Sequence, residues 1–259
     1  MRKNRSGGVA PHLQTHAGMR ARRALPYRFF RENRTLLNFQ TGSKAQLATC
    51  LNNLRQIRVG VRMYSDDSND ASPAAGTAAV PTNIVALYSA YKEFMKGYVG
   101  LNGASSAQDK LFACPADSCY PSFLAGVSNG PYYYVRQSLH QQPILDFSSY
   151  AFNGGDNITR MVGSIPVTRP GLGGAKLSST KHPGRTVVVT EASALVPWSW
   201  HEPSSRLYFV NGKNMVSFAD GHVSYIKIYW DSTPLPDIGV KFALAADPQA
   251  GYDDQWSPN

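Results

Sequence analysis

Arg206-Leu-Tyr-Phe-Val-Asn-Gly-Lys-Asn-Met-Val-Ser-Phe-Ala-Asp-Gly-His-Val-Ser-Tyr-Ile-Lys-Ile-Tyr229 is the stretch that decides the fold class. Three short apolar runs, 206–210, 215–218 and 222–229, are separated by Asn211-Gly212 and by Asp220-Gly221. Asn-Gly and Asp-Gly between alternating runs are the strongest short hairpin signals, because type I′ turns need positive φ at both central positions. The stretch therefore predicts three antiparallel strands in a meander. Lys227 sits among apolar neighbours in an alternating strand, so one face of that strand is expected to be solvated.

Upstream, Arg185-Thr-Val-Val-Val-Thr190 is a β-branched run that reads as a buried strand. Ser149-Tyr-Ala-Phe152 and Tyr132-Tyr-Tyr-Val135 are shorter strand candidates. Residues 44–65 carry the clearest helical period. Leu47, Leu51, Leu54, Ile57 and Val61 fall on one face, with Cys50 beside Leu51, while Arg55, Arg58 and Arg62 fall largely off it. Ser43 is a candidate N-cap, and Ser65-Asp-Asp-Ser-Asn-Asp70 ends the helix. A second helix is expected near 82–98, and 100–130 reads mostly as loop. The Pro- and Asp-rich end, 231–259, reads as an irregular C-terminal arm anchored by Phe242 and Trp256.

These elements make an α+β domain over 44–259. An N-terminal amphipathic helix packs on an antiparallel sheet lying mainly within 132–229, with long loops and the C-terminal arm. The helix face should bury against Val187–Val189 and Phe218.

The net charge of +9 on 259 residues would suggest a nucleic-acid partner if it lay on the fold. It does not. Residues 1–34 hold nine Lys or Arg and one acid, Glu32, and the other 225 residues hold 17 basic and 16 acidic side chains. Residues 1–43 read as a basic disordered tail, although an Arg-rich, acid-poor composition is also that of a transit peptide. No nucleic-acid partner is expected. No run of ~18 apolar residues offers a membrane helix, and no secretory signal is legible.

Cys114 and Cys119 flank a turn-like stretch and can close a small disulfide loop in an oxidising compartment. Cys50 lies on the apolar helix face and reads as packed rather than reactive. Cys114, Cys119, His182 and His201 lack the spacing of a zinc set, so no metal ligands are assigned. Asp220-Gly221-His222 reads as a turn. Trp198 and Trp200 in the loop Pro197-Trp-Ser-Trp-His201, together with Tyr133, are the candidate binding residues for a sugar or protein. No Gly-x-Ser-x-Gly, His-Glu-x-x-His or phosphate-cradling glycine loop occurs, and Gly171-Leu-Gly-Gly174 reads as a loop.

Five pieces of sequence, in order, resemble the prepilin-type, pseudopilin-like proteins abundant in Planctomycetes and Verrucomicrobia. They are Cys50-Leu-Asn-Asn-Leu-Arg-Gln56, Cys114-Pro-Ala-Asp117, Ser149-Tyr-x-x-Asn153, Pro183-x-Arg-Thr-Val-Val-Val-Thr-Glu191 and Phe218-Ala-Asp-Gly-His-Val223. The resemblance covers residues 44 to about 230. It implies a pilin-like fold and a non-catalytic structural role in a type II secretion-like or pilus-like assembly, outside the inner membrane. Its partners would be other pilin-like subunits or the secretion machinery.

Two departures stand out. Arg22–Gln40 occupies the place of the family's membrane helix, so membrane contact is expected only through a helix that this stretch does not contain. Val210 stands where one branch of the family has a His. Related pseudopilins hold calcium in a C-terminal loop, and Asp66, Asp67, Asp70, Asp253 and Asp254 are the candidate ligands for that ion, although their spacing is not that of an EF-hand. No other cofactor is expected. The competing expectation is a stand-alone surface module that binds glycan or protein through the loop aromatics.

Overall fold

The computed structural model describes residues 44–74, 86–121, 134–155, 159–162, 165–168, 171–195, 198–202, 212–235, 239–244 and 249–258. The chain divides into two units, Met1–Leu36 and Leu37–Asn259, and every described residue belongs to the second. The basic tail 1–43, the expected strand 206–210 with Asn211, and Tyr133 lie outside the described residues.

Helix α1 spans Lys44–Asp67, 24 residues and about 36 Å at the usual rise. Cys50, Leu54, Ile57 and Val61 are fully buried on one stripe, with Leu47 and Leu51 partly buried beside them. The helix stops where the sequence expects it to. Asn69 and Asp70 turn left-handed, and Asp70 N–H closes onto Ser65 O at 2.7 Å.

The second helical region is broken into two short helices, α2 (Ala86–Ser89) and α3 (Tyr91–Met95), followed by a 3-10 turn over Lys96–Val99. Tyr88, Tyr91 and Met95 face the core, whereas Phe94 is exposed. Gly60 lets this region approach α1 closely, since a Cβ there would overlap Met95 and Val99.

The central sheet is antiparallel, in the order β3 (Tyr150–Phe152), β6 (Val187–Glu191), β7 (Lys213–Phe218), β8 (Val223–Lys227). Separate two-stranded ribbons join β1 (Tyr120–Pro121) to β2 (Tyr134–Val135), and β4 (Thr159–Val162) to β5 (Ile165–Thr168). A third joins β9 (Trp230–Leu235) to β10 (Gly239–Leu244), inside the segment read as an irregular arm. Val240, Phe242 and Leu244 carry the period-two signal, but Pro234 and the neighbouring prolines mask it. Pro234 is tolerated because an isolated ribbon leaves open edges.

The turn between β7 and β8 uses a different geometry from the one its sequence suggests. Only Gly221 has positive φ, at 98°, and its N–H bonds to Phe218 O at 3.0 Å. This is a type I turn with a left-handed glycine rather than type I′. Asp220 Oδ1 accepts from His222 N, and the His222 ring stacks on Phe218 at 4.2 Å, so Asp220-Gly221-His222 is a structural corner.

Alternation along β7 sends Met215 into one core and Val216 and Phe218 into another. The first core holds Leu54 and Ile57 of α1 with Val188 and Val189 of β6. The second holds Val187, Val216, Phe218, Ile228, Trp230 and Trp256. The side chains of Val187 and Phe218 therefore belong to the second core and not to the α1 face, a shift that coincides with the irregular register between Val187 and Val189. Residues near the C-terminus run alongside the start of β6. Thr186 bridges Gln255 in parallel, and Gln255 O accepts from Val187 N at 2.9 Å.

Arg58 does not fall off the buried face of α1. It is 4 % exposed, and its guanidinium donates to Phe218 O at 3.0 Å and Ala219 O at 2.5 Å. Burial, with Arg62 nearby, lowers its pKa to about 10. The cation holds α1 to the end of β7. Arg58→Ala is expected to cost about 2–4 kcal/mol, because two carbonyls lose charged donors, and Arg58→Lys should recover part of that. Urea unfolding of the two variants measures both effects; a loss below about 0.5 kcal/mol would rule out this anchoring role.

Candidate functional site

The motif residues of the sequence meet inside the fold. Asn53 Nδ2 donates to Ala113 O (2.9 Å) and to Tyr150 Oη (3.2 Å), tying α1 to the Cys114 loop and to β3. Asp117, raised in pKa by burial against the pull of its hydrogen bonds, accepts from Leu139 N, His140 N, Ser138 Oγ and Ser149 Oγ. Asn153 Nδ2 reaches Val187 O and Trp256 O, each at 2.8 Å. Ala219 N donates to Thr186 O at 2.9 Å and Asp220 N to Pro183 O at 3.1 Å.

At the centre of this network lies a cluster of four buried side chains, Cys50, Cys114, Glu191 and His201, whose ligand-type atoms are all within 4.8 Å of one another. Each comes from a different element. Cys50 is on the buried stripe of α1, and Cys114 follows a 3-10 turn over Lys110–Phe112. Glu191 is the last residue of β6, and His201 lies within the segment 198–202.

That segment is pinned to the sheet. Asn214 Nδ2 donates to Trp198 O (2.9 Å), and the His201 ring meets Tyr225 edge-on at 6.0 Å. The sulfurs of Cys50 and Cys114 are 2.6 Å apart. His201 Nε2 lies 2.7 Å from Glu191 Oε1 and 3.7 Å from Cys114 Sγ. Glu191 Oε2 accepts from Met215 N at 3.0 Å.

The electrostatics are mutual. The hydrogen bond from Cys114 lowers the Cys50 thiol to about 7, against burial, with His201 helping. Burial raises Cys114 well above the ordinary thiol range. For His201 burial favours the neutral ring, yet its bonds to Cys50 and Glu191 outweigh that and raise it to about 10.

A thiol, an imidazole and a carboxylate also make a nucleophile, base and orienting group. Here all four side chains are buried, so no reacting atom faces solvent. The arrangement suits a small cation better than a substrate.

Several sequence expectations resolve differently. Cys114 meets Cys50, not Cys119, and all three thiols are free. Cys119 is half-buried, with its carbonyl taken by Trp200 Nε1 at 2.8 Å. Trp198 and Trp200 are only 8 % and 6 % exposed, so they fill the interior rather than form an open platform. Their aromatic mass outweighed the loop chemistry around them. His182 is exposed and lies outside the cluster. Gly212 is structural, accepting from Ile228 N at 3.2 Å.

Four of the five acids considered for calcium are engaged within the chain, and Asp253 is exposed. Asp66 pairs with Arg62 at 2.8 Å, Asp67 accepts from Tyr98 Oη at 2.8 Å, and Asp70 accepts from Ser178 N at 3.0 Å. Buried Asp254 holds Tyr229 N and Trp256 Nε1.

Glu191 and Cys50 were legible only as members of a buried strand and a buried helix face. The available signal was a carboxylate closing an apolar run, since buried carboxylates need a partner. No family model, no curated protein and no solved structure matches the chain.

Proposed function

We propose that the chain is a non-catalytic structural subunit of a type II secretion-like or pilus-like assembly of the cell envelope, with a pilin-like arrangement of its helix and sheet. The observation that carries this reading is the behaviour of the five motif pieces. They are far apart in sequence, yet they bond to one another through Asn53, Asp117, Ser149, Asn153 and the Pro183–Thr186 turn. A resemblance made of scattered fragments is better founded when the fragments hold one interior together. The α+β layout, a long helix ahead of an antiparallel sheet, supports the same reading. No helix among the described residues is long and apolar enough to cross a membrane.

The outward face of α1 supplies a contact for a neighbouring subunit. Val59 and Met63, one turn apart, are 57 % and 44 % exposed. A photo-crosslinking residue at Arg55, on the exposed side of the same helix, should trap a pilin-like subunit in the envelope fraction of the source cells. Val59→Glu with Met63→Glu should abolish that product without changing thermal unfolding. A chain recovered wholly outside the envelope fraction, with no crosslinked partner, would overturn the proposal. The competing module that binds through Trp198 and Trp200 has lost its exposed aromatics.

A further inference from the structure

Four polar side chains converge where apolar packing would be the default. Cys50, Cys114 and Glu191 are 0–4 % exposed and His201 is 5 % exposed, at the junction of α1 with the sheet. Burying a carboxylate is costly unless it is paired; the ring of His201 faces Glu191 at 2.7 Å, and a metal ion would serve that carboxylate and both thiols together.

We infer that Cys50, Cys114, His201 and Glu191 are the four ligands of a closed structural zinc(II) site that fastens α1 to the sheet. The donor set selects the metal. Two sulfurs and an imidazole suit zinc, and four protein ligands with no open position are the mark of a structural rather than a catalytic site. Zinc binds cysteine as thiolate and histidine as the neutral ring, so loading the site releases protons.

Details around the cluster fit this assignment. The sulfurs stand 2.6 Å apart, so both thiols point at one spot. A disulfide has no use for a carboxylate and an imidazole aimed at the same point; a cation uses both. Sharing a zinc ion would part the sulfurs to about 3.8 Å, the tetrahedral edge for bonds of ~2.3 Å. The Cys114 sulfur also accepts the backbone N–H of Ala116, a contact that stabilises a thiolate in the turn Cys114-Pro-Ala. Glu191 is oriented from outside by Met215 N, as ligating carboxylates are. His201 reaches the cluster through Nε2, which faces both Glu191 Oε1 and Cys114 Sγ.

This inference does not depend on the assembly role proposed above. The full chain, purified under reducing conditions and dialysed against trace zinc, is weighed for metal by inductively coupled plasma mass spectrometry. About one zinc per chain is expected, by the count of one four-ligand site. Cobalt(II) exchange should give intense visible bands of a tetrahedral site with a sulfur charge-transfer band. Cys50→Ser and Cys114→Ser should each lose the bands, while Cys119→Ser keeps them. Should the serine variants fail to fold, the stoichiometry and cobalt spectrum of the unaltered chain still decide. A reduced, folded chain that takes up neither metal overturns the site, as does a Cys50–Cys114 disulfide in the native protein, seen as one crosslinked peptide pair.

Discussion

A chain beginning at residue 66 is expected to be insoluble, or soluble only as a species that binds hydrophobic dyes and unfolds without a cooperative transition. Leu54, Ile57 and Val61 are each fully buried against the sheet. At about 1.5–3 kcal/mol apiece they contribute roughly 5–9 kcal/mol, which approaches the whole stability of a typical domain. Arg58 adds its two bonds to the end of β7, and Asn53 its bonds to Ala113 O and Tyr150 Oη. Removing the helix also exposes Val188, Val189 and Met215 as a contiguous apolar face. Size-exclusion chromatography and urea unfolding by circular dichroism make the comparison. A monodisperse truncated chain with a sharp transition would mean that α1 is an ornament on an independent sheet.

The helix was legible because a 3.6-residue period is a local property. Cys50, Leu54, Ile57 and Val61 announce their face without any knowledge of what covers it. β6 was legible for a similar reason, since Val187–Val189 is too apolar to lie elsewhere than inside. What lay outside the sequence's reach is non-local. Arg58 sits four residues after Leu54 and three before Val61, so its position is that of a core residue, and only its charge argued otherwise. A buried guanidinium needs carbonyls that happen to end a strand 160 residues away, and nothing near Arg58 reports them. The cluster is the same case in sharper form. Cys50 and Cys114 are 64 residues apart, and Glu191 and His201 come from a strand end and a loop. Spacing rules detect ligands paired on one turn or helix, not four single residues gathered by the fold. The C-terminal ribbon was hidden differently, by prolines whose usual meaning is reversed in an isolated pair of strands.

Trp256→Ala should destabilise the domain by about 3–5 kcal/mol, the range for deleting a buried aromatic. Trp256 is fully buried and fills the second core among Val187, Phe218 and Trp230. It also carries polar work. Its Nε1 donates to Asp254 Oδ2 at 3.2 Å, and its carbonyl accepts from Asn153 Nδ2 at 2.8 Å. Asp254 is already pushed up to about 6 by burial, so losing the indole donor removes one of the bonds that favour its charged form. In a domain of this size the loss corresponds to a fall in Tm of roughly 6–20 °C. Trp256→Phe keeps most of the buried area and loses the donor, so it should cost less than the alanine change. Differential scanning calorimetry of both variants separates the two contributions. If Trp256→Ala costs under about 1 kcal/mol, the second core is peripheral, and the sheet relies on α1 alone for its stability. A loss in the expected range instead makes the sheet a layer covered on both faces, with the helix on one side and the C-terminal segment closing the other.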